Sequence, residues 1–478
     1  MFRKSEVSQQ EDFFGSFDFN FSSRKGRELN DPNSWWDLFY KQVTCKIDEA
    51  LFAGLYSESM GRPNAPIRLL VAMMILKEGF GWSDGKLFEE CNFNILVMKA
   101  LGLSGLNDTI PSESTYYEFK QSLYRHQVEK GADLIIQCFQ RLTEAQAKLF
   151  GVSGDKIRMD SKLIGSNIAD CSRLRLIVSC LLVFWNSLSK SAQSRLTKEK
   201  RAFIAQLLKK KPQQLVYRLS NEEKKQLLEE LGGFLSELMT LYSSGDSEKI
   251  LLIERVLNEQ YVMDENNVSL KKGAEIDANS LQSPYDPDAA YRTKRDESVQ
   301  GYSVNVTETC NAEGLNLISD IQVEPATQSD NGFVQSAIEN TETVVGKVNE
   351  VSMDGADNDV SNAEYAEEHD KTLLFTGIQG AKGRSTFLVS ENGQVVVSDG
   401  QEGEIYVTEN YKEGKFKFKE NAGKTRYFTQ KDIDSCSRRL QVEQMPDETK
   451  NRRNNVEATI FQLTYFTRNN KTRYRGKT

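Results

Sequence analysis

Three carboxylates, Asp160, Asp354 and Glu457, have the residue type and the spacing to act on phosphate esters. Asp160 lies in Lys156-Ile-Arg-Met-Asp-Ser-Lys-Leu-Ile164, where Ile157, Met159 and Leu163 alternate with Arg158, Asp160 and Lys162. That period of two predicts a half-buried strand with Asp160 on its more polar face. Aspartate is a poor strand former, so a carboxylate there has a task or a cation, or else it ends the strand and meets solvent. Asp354 closes a strand predicted over 347–353, and Glu457 sits on a helix predicted over about 450–466. The three are almost 200 and about 100 residues apart, a spacing that suits a site assembled by tertiary structure. Carboxylates converging within a few ångströms repel unless cations sit among them. Two Mg²⁺ ions roughly 4 Å apart would satisfy such a site, one activating an attacking oxygen and the other stabilising the leaving oxygen of an in-line phosphoryl displacement. Hard oxygen ligands favour Mg²⁺, or Mn²⁺, over zinc. Glu457 also lies four residues after Arg453, which equally permits a plain helical salt bridge.

Other chemistries find little support. The 478 residues hold two histidines, His126 and His369, too few for a His-rich metal site, and a Ser-His-Asp hydrolase needs a placed imidazole. Seven cysteines, at 45, 91, 138, 171, 180, 310 and 436, form no C-x-x-C pair and read as reduced cytoplasmic thiols. The longest apolar stretch, 176–185, contains Ser179 and stops at ten residues, whereas a bilayer span needs about 20. Met1-Phe-Arg-Lys-Ser-Glu leads into polar residues with no apolar signal core, so a soluble protein without a membrane partner is expected. The net charge of −8 hides a division. Residues 450–478 carry eight basic residues against the single acid Glu457, while 308–370 carry fifteen acids against Lys347. Solvated faces with a basic tail would look this way, and so would carboxylates for divalent cations beside cations for phosphates.

Length alone suggests about three domains, and the elements around the carboxylates sort accordingly. Residues 1–34, polar with scattered Phe, read as a loose leader. Over 35–150 the pattern is helical: Ile67, Leu70, Val71, Met74 and Ile75 form an amphipathic stripe behind Pro63 and Pro66. Thr115-Tyr-Tyr-Glu118 has capping-box spacing at a helix mouth. Several short helices with aromatic and basic exposure suit a helix-turn-helix-type DNA reader or a plain bundle. Residues 170–280 return to helical runs with Lys/Glu-rich faces, a helical insertion whose core is 176–185, and Lys209-Lys-Lys211 is a solvated face or a phosphate contact. From Gly301 the order is strand, strand, helix over 329–345, then strand, and 372–435 is Gly-punctuated and β-rich. Val456, Ile460 and Leu463 share one face of the final helix.

The motifs now resemble a family. Gly61-Arg-Pro63, Gly81-Trp-Ser-Asp84, Met159-Asp-Ser161, Tyr285-Asp-Pro-Asp-Ala-Ala-Tyr-Arg292 with Gly301-Tyr302, and Val351-Ser-Met-Asp-Gly-Ala356 are similar to segments of bacterial insertion-sequence DDE transposases. Arg452-Arg-Asn-Asn-Val-Glu-Ala-Thr-Ile-Phe-Gln-Leu463 with Arg473-Tyr-Arg-Gly476 carries the resemblance most specifically. It runs in consistent order from about residue 36 to the end. It implies an α/β fold with an RNase H-like mixed-sheet core (151–169 and 281–478), a helical N-terminal DNA-binding domain, the helical insertion and the β-rich insertion within the core. The implied triad is Asp160, Asp354 and Glu457, holding two Mg²⁺ ions, with Mn²⁺ an alternative, and Arg453, Arg473 and Arg475 on DNA. The implied activity is DNA recombination in a bacterial cytoplasm, at the nucleoid. A homo-oligomer on double-stranded DNA would bind terminal inverted repeats, cleave them, and pass the freed 3′-hydroxyl to target DNA.

The chain departs from that pattern in four places. Asp357 follows Ala356 where an aromatic is usual, and Thr464 stands where a lysine is often found, seven residues after the glutamate. Only Cys436 remains where paired cysteines can occur, and the sequence stops two residues after Gly476. Asp357, Thr464 and the short C-terminal end motivate an alternative, a truncated or repurposed DNA-binding protein that has lost its chemistry.

Overall fold

A computed structural model describes residues 1–4, 24–57, 61–103, 108–169, 171–209, 212, 214, 217, 219–264, 267–294, 297–312, 314–355, 359–376, 385–389, 395–399, 405–412, 414–419, 423–465, 467 and 470–476. Asp357, residues 5–23 of the segment expected to be a loose leader, and Lys210 and Lys211 lie outside the described residues; of that segment's described residues, Arg24–Leu29 is helical and the Phe2 N–H donates to the Ser57 carbonyl. The chain is mixed α/β, with a helical N-terminal region and a six-stranded mixed sheet.

In the N-terminal region five helices, Trp35–Gln42, Ile67–Gly79, Asp84–Phe93, Ile95–Leu101 and Glu113–Lys130, pack with Leu134–Phe150 around one core. Helix Ile67–Gly79 starts directly after Pro66, whose fixed φ and missing N–H suit a helix entrance. Its buried side extends beyond the expected stripe: Leu69, Ala72, Met73 and Leu76 are buried while Ile75 is exposed. The reason is its central place, since helices on several sides consume more than one face. Ser112, not Thr115, is the N-cap of Glu113–Lys130, and its hydroxyl accepts from the Thr115 N–H. Ser112 follows Pro111, and its extended backbone leaves the oxygen free to reach into the first turn.

The sheet is built on β1, Lys156–Gly165. After it, helices Arg173–Ser187, Lys198–Leu208, Asn221–Leu241 and Ile250–Gln260 form a second core that buries 176–178, Cys180, Leu181, Phe184 and Trp185. The helical run then ends in a hairpin absent from the sequence reading, β2 (Tyr261–Asp264) and β3 (Asn267–Leu270). Tyr261 and Val262 favour extended backbone, and buried Tyr261 closes the helical core. The chain re-enters the sheet as β4 (Ala290–Lys294), β5 (Glu297–Thr309), β6 (Ile318–Pro325), β7 (Glu350–Met353) and β8 (Thr372–Phe375). β5 runs antiparallel to β1, β4 and β6, whereas β7 is parallel to β1 and β8 to β7. Thr372–Phe375, at the start of the segment read above as β-rich, is thus the outer strand of the main sheet. Two three-stranded sheets follow, Ser385–Val389, Val395–Asp399 and Ile405–Val407, then Glu409–Lys412, Lys415–Lys419 and Thr425–Thr429. They share a small aromatic core with Ile433.

Alternation along β1 assigns the two faces of the main sheet. Ile157 and Met159 pack with Val351, Met353 and helix Val334–Val344. Opposite them, Val306 meets Val456 and Ile460 of the last helix, Asn454–Thr464. Leu463, expected on that face, is exposed; the neighbouring Thr464 faces the sheet instead, bonded to Lys162 of β1.

Where β1 and β5 pair at Gly165 and Gly301, a Cβ on Gly301 would run into the Ile164 carbonyl oxygen and the Ser166 nitrogen. Backbone atoms locked in a ladder yield little. Gly301→Ala is therefore expected to cost about 1–3 kcal/mol by denaturant unfolding, the range for overpacking. Gly85→Ala, with nothing near its added Cβ, serves as the neutral-to-stabilising control.

Candidate functional site

Asp160 stands on the β1 face that meets the last helix, directly opposite Val306. β7 pairs Val351 and Ser352 with Ile157 and Arg158. Asp354, one residue past the end of β7, lies two positions beyond Ser352, so alternation turns it to the same face. Glu457 lies in the first turn of the last helix, beside Val456, whose burial holds the helix on the sheet. The structure thus brings together three carboxylates that the sequence holds far apart.

Their meeting point is Arg453. Its Nη2 donates to Asp160 Oδ1 at 2.9 Å and lies 3.1 Å from Glu457 Oε1 and 3.9 Å from Asp354 Oδ2. The helical salt bridge is therefore real, and it is one of three contacts made by the same nitrogen. Exposure grades the site from floor to rim: the side chains of Asp160, Asp354 and Glu457 are 17%, 37% and 54% exposed. Burial pushes the Asp160 carboxyl above the usual aspartate range, against the lowering pull of Arg453. For Arg453 burial opposes the charge, but hydrogen bonding to Asp160 and the nearby carboxylates hold the guanidinium above its ordinary value. Gly355 N–H donates to Asp354 Oδ1 at 2.7 Å.

Three carboxylates around one cation supply hard oxygens, the donor type that Mg²⁺ and Mn²⁺ take. Arg453 sits between them, and among the described residues no group of three or more His, Cys, Asp or Glu is closed enough to hold a metal ion. A metal held here would have to draw its oxygens from Asp160, Asp354 and Glu457, in the place Arg453 Nη2 takes.

A second layer, not singled out by the sequence reading, fixes the last helix. Arg158 Nε donates to Glu308 Oε1 at 2.5 Å, both side chains buried, and Thr459 of the last helix donates to Glu308 Oε2. Arg452 pairs with Glu350. Thr464 accepts from Lys162 Nζ at 2.9 Å. The signal for the Arg158–Glu308 pair was a cation and an acid on facing strands, visible only once β1 and β5 are put in register.

Arg473 and Arg475 are not at the carboxylates. Arg473 donates to the carbonyls of Gly81 and Trp82 and pairs with Glu78. Arg475 donates to the Asn167 carbonyl and lies over the Tyr285 ring. Between them, Tyr474 hydroxyl hydrogen-bonds Lys77 and Glu78, and Asn470 and Thr472 pair with Gly165 at the end of β1. The motif 473–476 therefore clasps the helical region at Gly81-Trp82 to the sheet. Asp286 of the Tyr285–Arg292 motif is fully buried and accepts from Ser166 and Tyr302.

Among the described residues no helix is long and apolar enough to cross a membrane. Comparison with known proteins gives one finding. Residues 27–122 match the family model described as Transposase domain (DUF772), which covers most of the helical N-terminal region and supports a transposase family for the chain. No curated protein and no solved structure matches it.

Proposed function

We propose that the chain is a DNA transposase of the insertion-sequence type, which binds terminal inverted repeats as an oligomer, cleaves them and transfers the 3′-hydroxyl to target DNA. The observation that carries this reading is the convergence of Asp160, Asp354 and Glu457 on one guanidinium, in a chain with a transposase-domain match. A six-stranded sheet in which β5 lies antiparallel to β1, β4 and β6, while β7 and β8 run parallel to β1, supports an RNase H-like core.

The chain's own residues have these roles. Asp160, rigid in mid-strand, and Asp354, at a strand end, are the floor of a divalent-metal site, and Glu457 closes it from the helix. When bound, two divalent ions supply the activated attacking oxygen and the charge stabilisation of phosphoryl transfer. Arg453 neutralises the carboxylates before the site is loaded and is placed to meet a DNA phosphate afterwards. The apolar contact of Val456 and Ile460 with Val306 holds Glu457 at a fixed height over the sheet.

The test is nicking of a supercoiled plasmid that carries the DNA flanking this gene, with Mg²⁺ and with EDTA. Cuts at the element's ends that need Mg²⁺ are the expected result. Retained binding to those ends without any cutting would turn the reading to a DNA-binding protein that has lost its chemistry.

A further inference from the structure

Among the described residues, three arginines on the carboxylate-bearing face are committed to acids. Arg158 is held by Glu308, Arg452 by Glu350, and Arg453 by the three carboxylates. Lys162 differs. Its ammonium donates to a neutral hydroxyl, that of Thr464. The hydroxyl spends its own proton on the Ile460 carbonyl at 2.9 Å, which leaves its lone pairs for the lysine and fixes the ammonium's position without cancelling its charge.

Both partners are tied to the site by regular geometry. Lys162 follows Asp160 by two residues on β1, so it shares the face and lies about 7 Å along it. Thr464 follows Glu457 by seven residues on the last helix, two turns on and on the same side. The strand and the helix therefore present two successive rungs. Carboxylates and Arg453 form the first, and an uncancelled ammonium forms the second. Phosphates of one DNA strand recur at a spacing of this order, so a backbone whose reacting phosphate lies at the carboxylates brings a neighbouring phosphate to Lys162.

We propose that Lys162 is a phosphate-binding residue of this site, taking the DNA phosphate next along the strand from the one presented to the carboxylates. The proposal rests on the reading of the chain as a protein that acts on DNA. It concerns binding, so it is testable without metal.

The experiment measures affinity of the 478-residue chain for a duplex from the DNA flanking the gene, in EDTA, by fluorescence anisotropy over a range of salt concentrations. Wild type is compared with Lys162→Met, which keeps the aliphatic stem, and Lys162→Arg, which keeps the charge; thermal melting verifies that each is folded. Lys162→Met is expected to flatten the slope of log affinity against log salt by about 0.9 and to weaken binding about tenfold at low salt, as loss of one phosphate contact does. Lys162→Arg is expected to restore the slope. An unchanged slope in folded Lys162→Met, or a loss that arginine fails to rescue, overturns the proposal. Absence of salt-dependent binding by wild type overturns the DNA reading and the proposal with it. The expected slopes together with no Mg²⁺-dependent nicking by wild type would leave Lys162 in its role and remove only the catalytic reading.

Discussion

Asp160→Asn is expected to lower Mg²⁺-dependent nicking by about a thousandfold or more, since each 1.4 kcal/mol of lost transition-state stabilisation is worth about tenfold and a metal site supplies several kcal/mol. Asp160 is the residue to change because it is the deepest of the three carboxylates and takes the shortest contact from Arg453. Asparagine matches its shape and keeps an oxygen for the Arg453 N–H. Asp354 and Glu457 remain to balance the guanidinium, so the fold is expected to hold. DNA binding should persist and strengthen slightly at low salt, because the change removes one negative charge from a surface that receives phosphates. Plasmid nicking and anisotropy on the same preparations separate the two effects. Equal nicking by wild type and variant would sink the carboxylate mechanism, whatever the binding shows.

Much of this site was legible in the sequence, for a physical reason. Strand periodicity is local, so alternation from Ile157 to Leu163 sufficed to place Asp160 on the polar face, and the strand read over 347–353 placed Asp354 at its end. Arg453 was legible only in part. Helical spacing disclosed its bond to Glu457, while its contacts with Asp160 and Asp354 arise from laying a helix across a sheet, which no local pattern encodes. The same limit hid the clasp. Gly81-Trp82 and Arg473-Tyr474 are both conspicuous in the sequence, yet their contact spans about 390 residues of chain. Burial patterns failed where neighbours decide the buried face, as for Ile75 on a helix packed on several sides and Leu463 on a helix whose sheet-facing position is taken by Thr464.

The second large effect is structural and reaches the site indirectly. Arg158→Met is expected to cost about 3–5 kcal/mol of stability, because it strands the buried Glu308 carboxylate without its cation. The two side chains are only 7% and 6% exposed, so solvent does little to screen the loss. Glu308 is also the anchor for Thr459, two residues past Glu457, and Arg158 Nη1 reaches the Arg452 carbonyl at 3.4 Å. Removing Arg158 thus loosens the last helix where it carries Arg453 and Glu457, and nicking should fall although the carboxylate triad is intact. The double variant Arg158→Met with Glu308→Met discriminates between the two consequences. Replacing a buried pair with apolar side chains of similar size is often nearly neutral, so urea unfolding of the double variant should recover most of the lost stability. Nicking should recover less, because methionine at 308 offers Thr459 no acceptor. A double variant as unstable as the single one would show that the pair is not what docks the helix, and full recovery of nicking would show that Glu457 is held by Val456 and Ile460 alone.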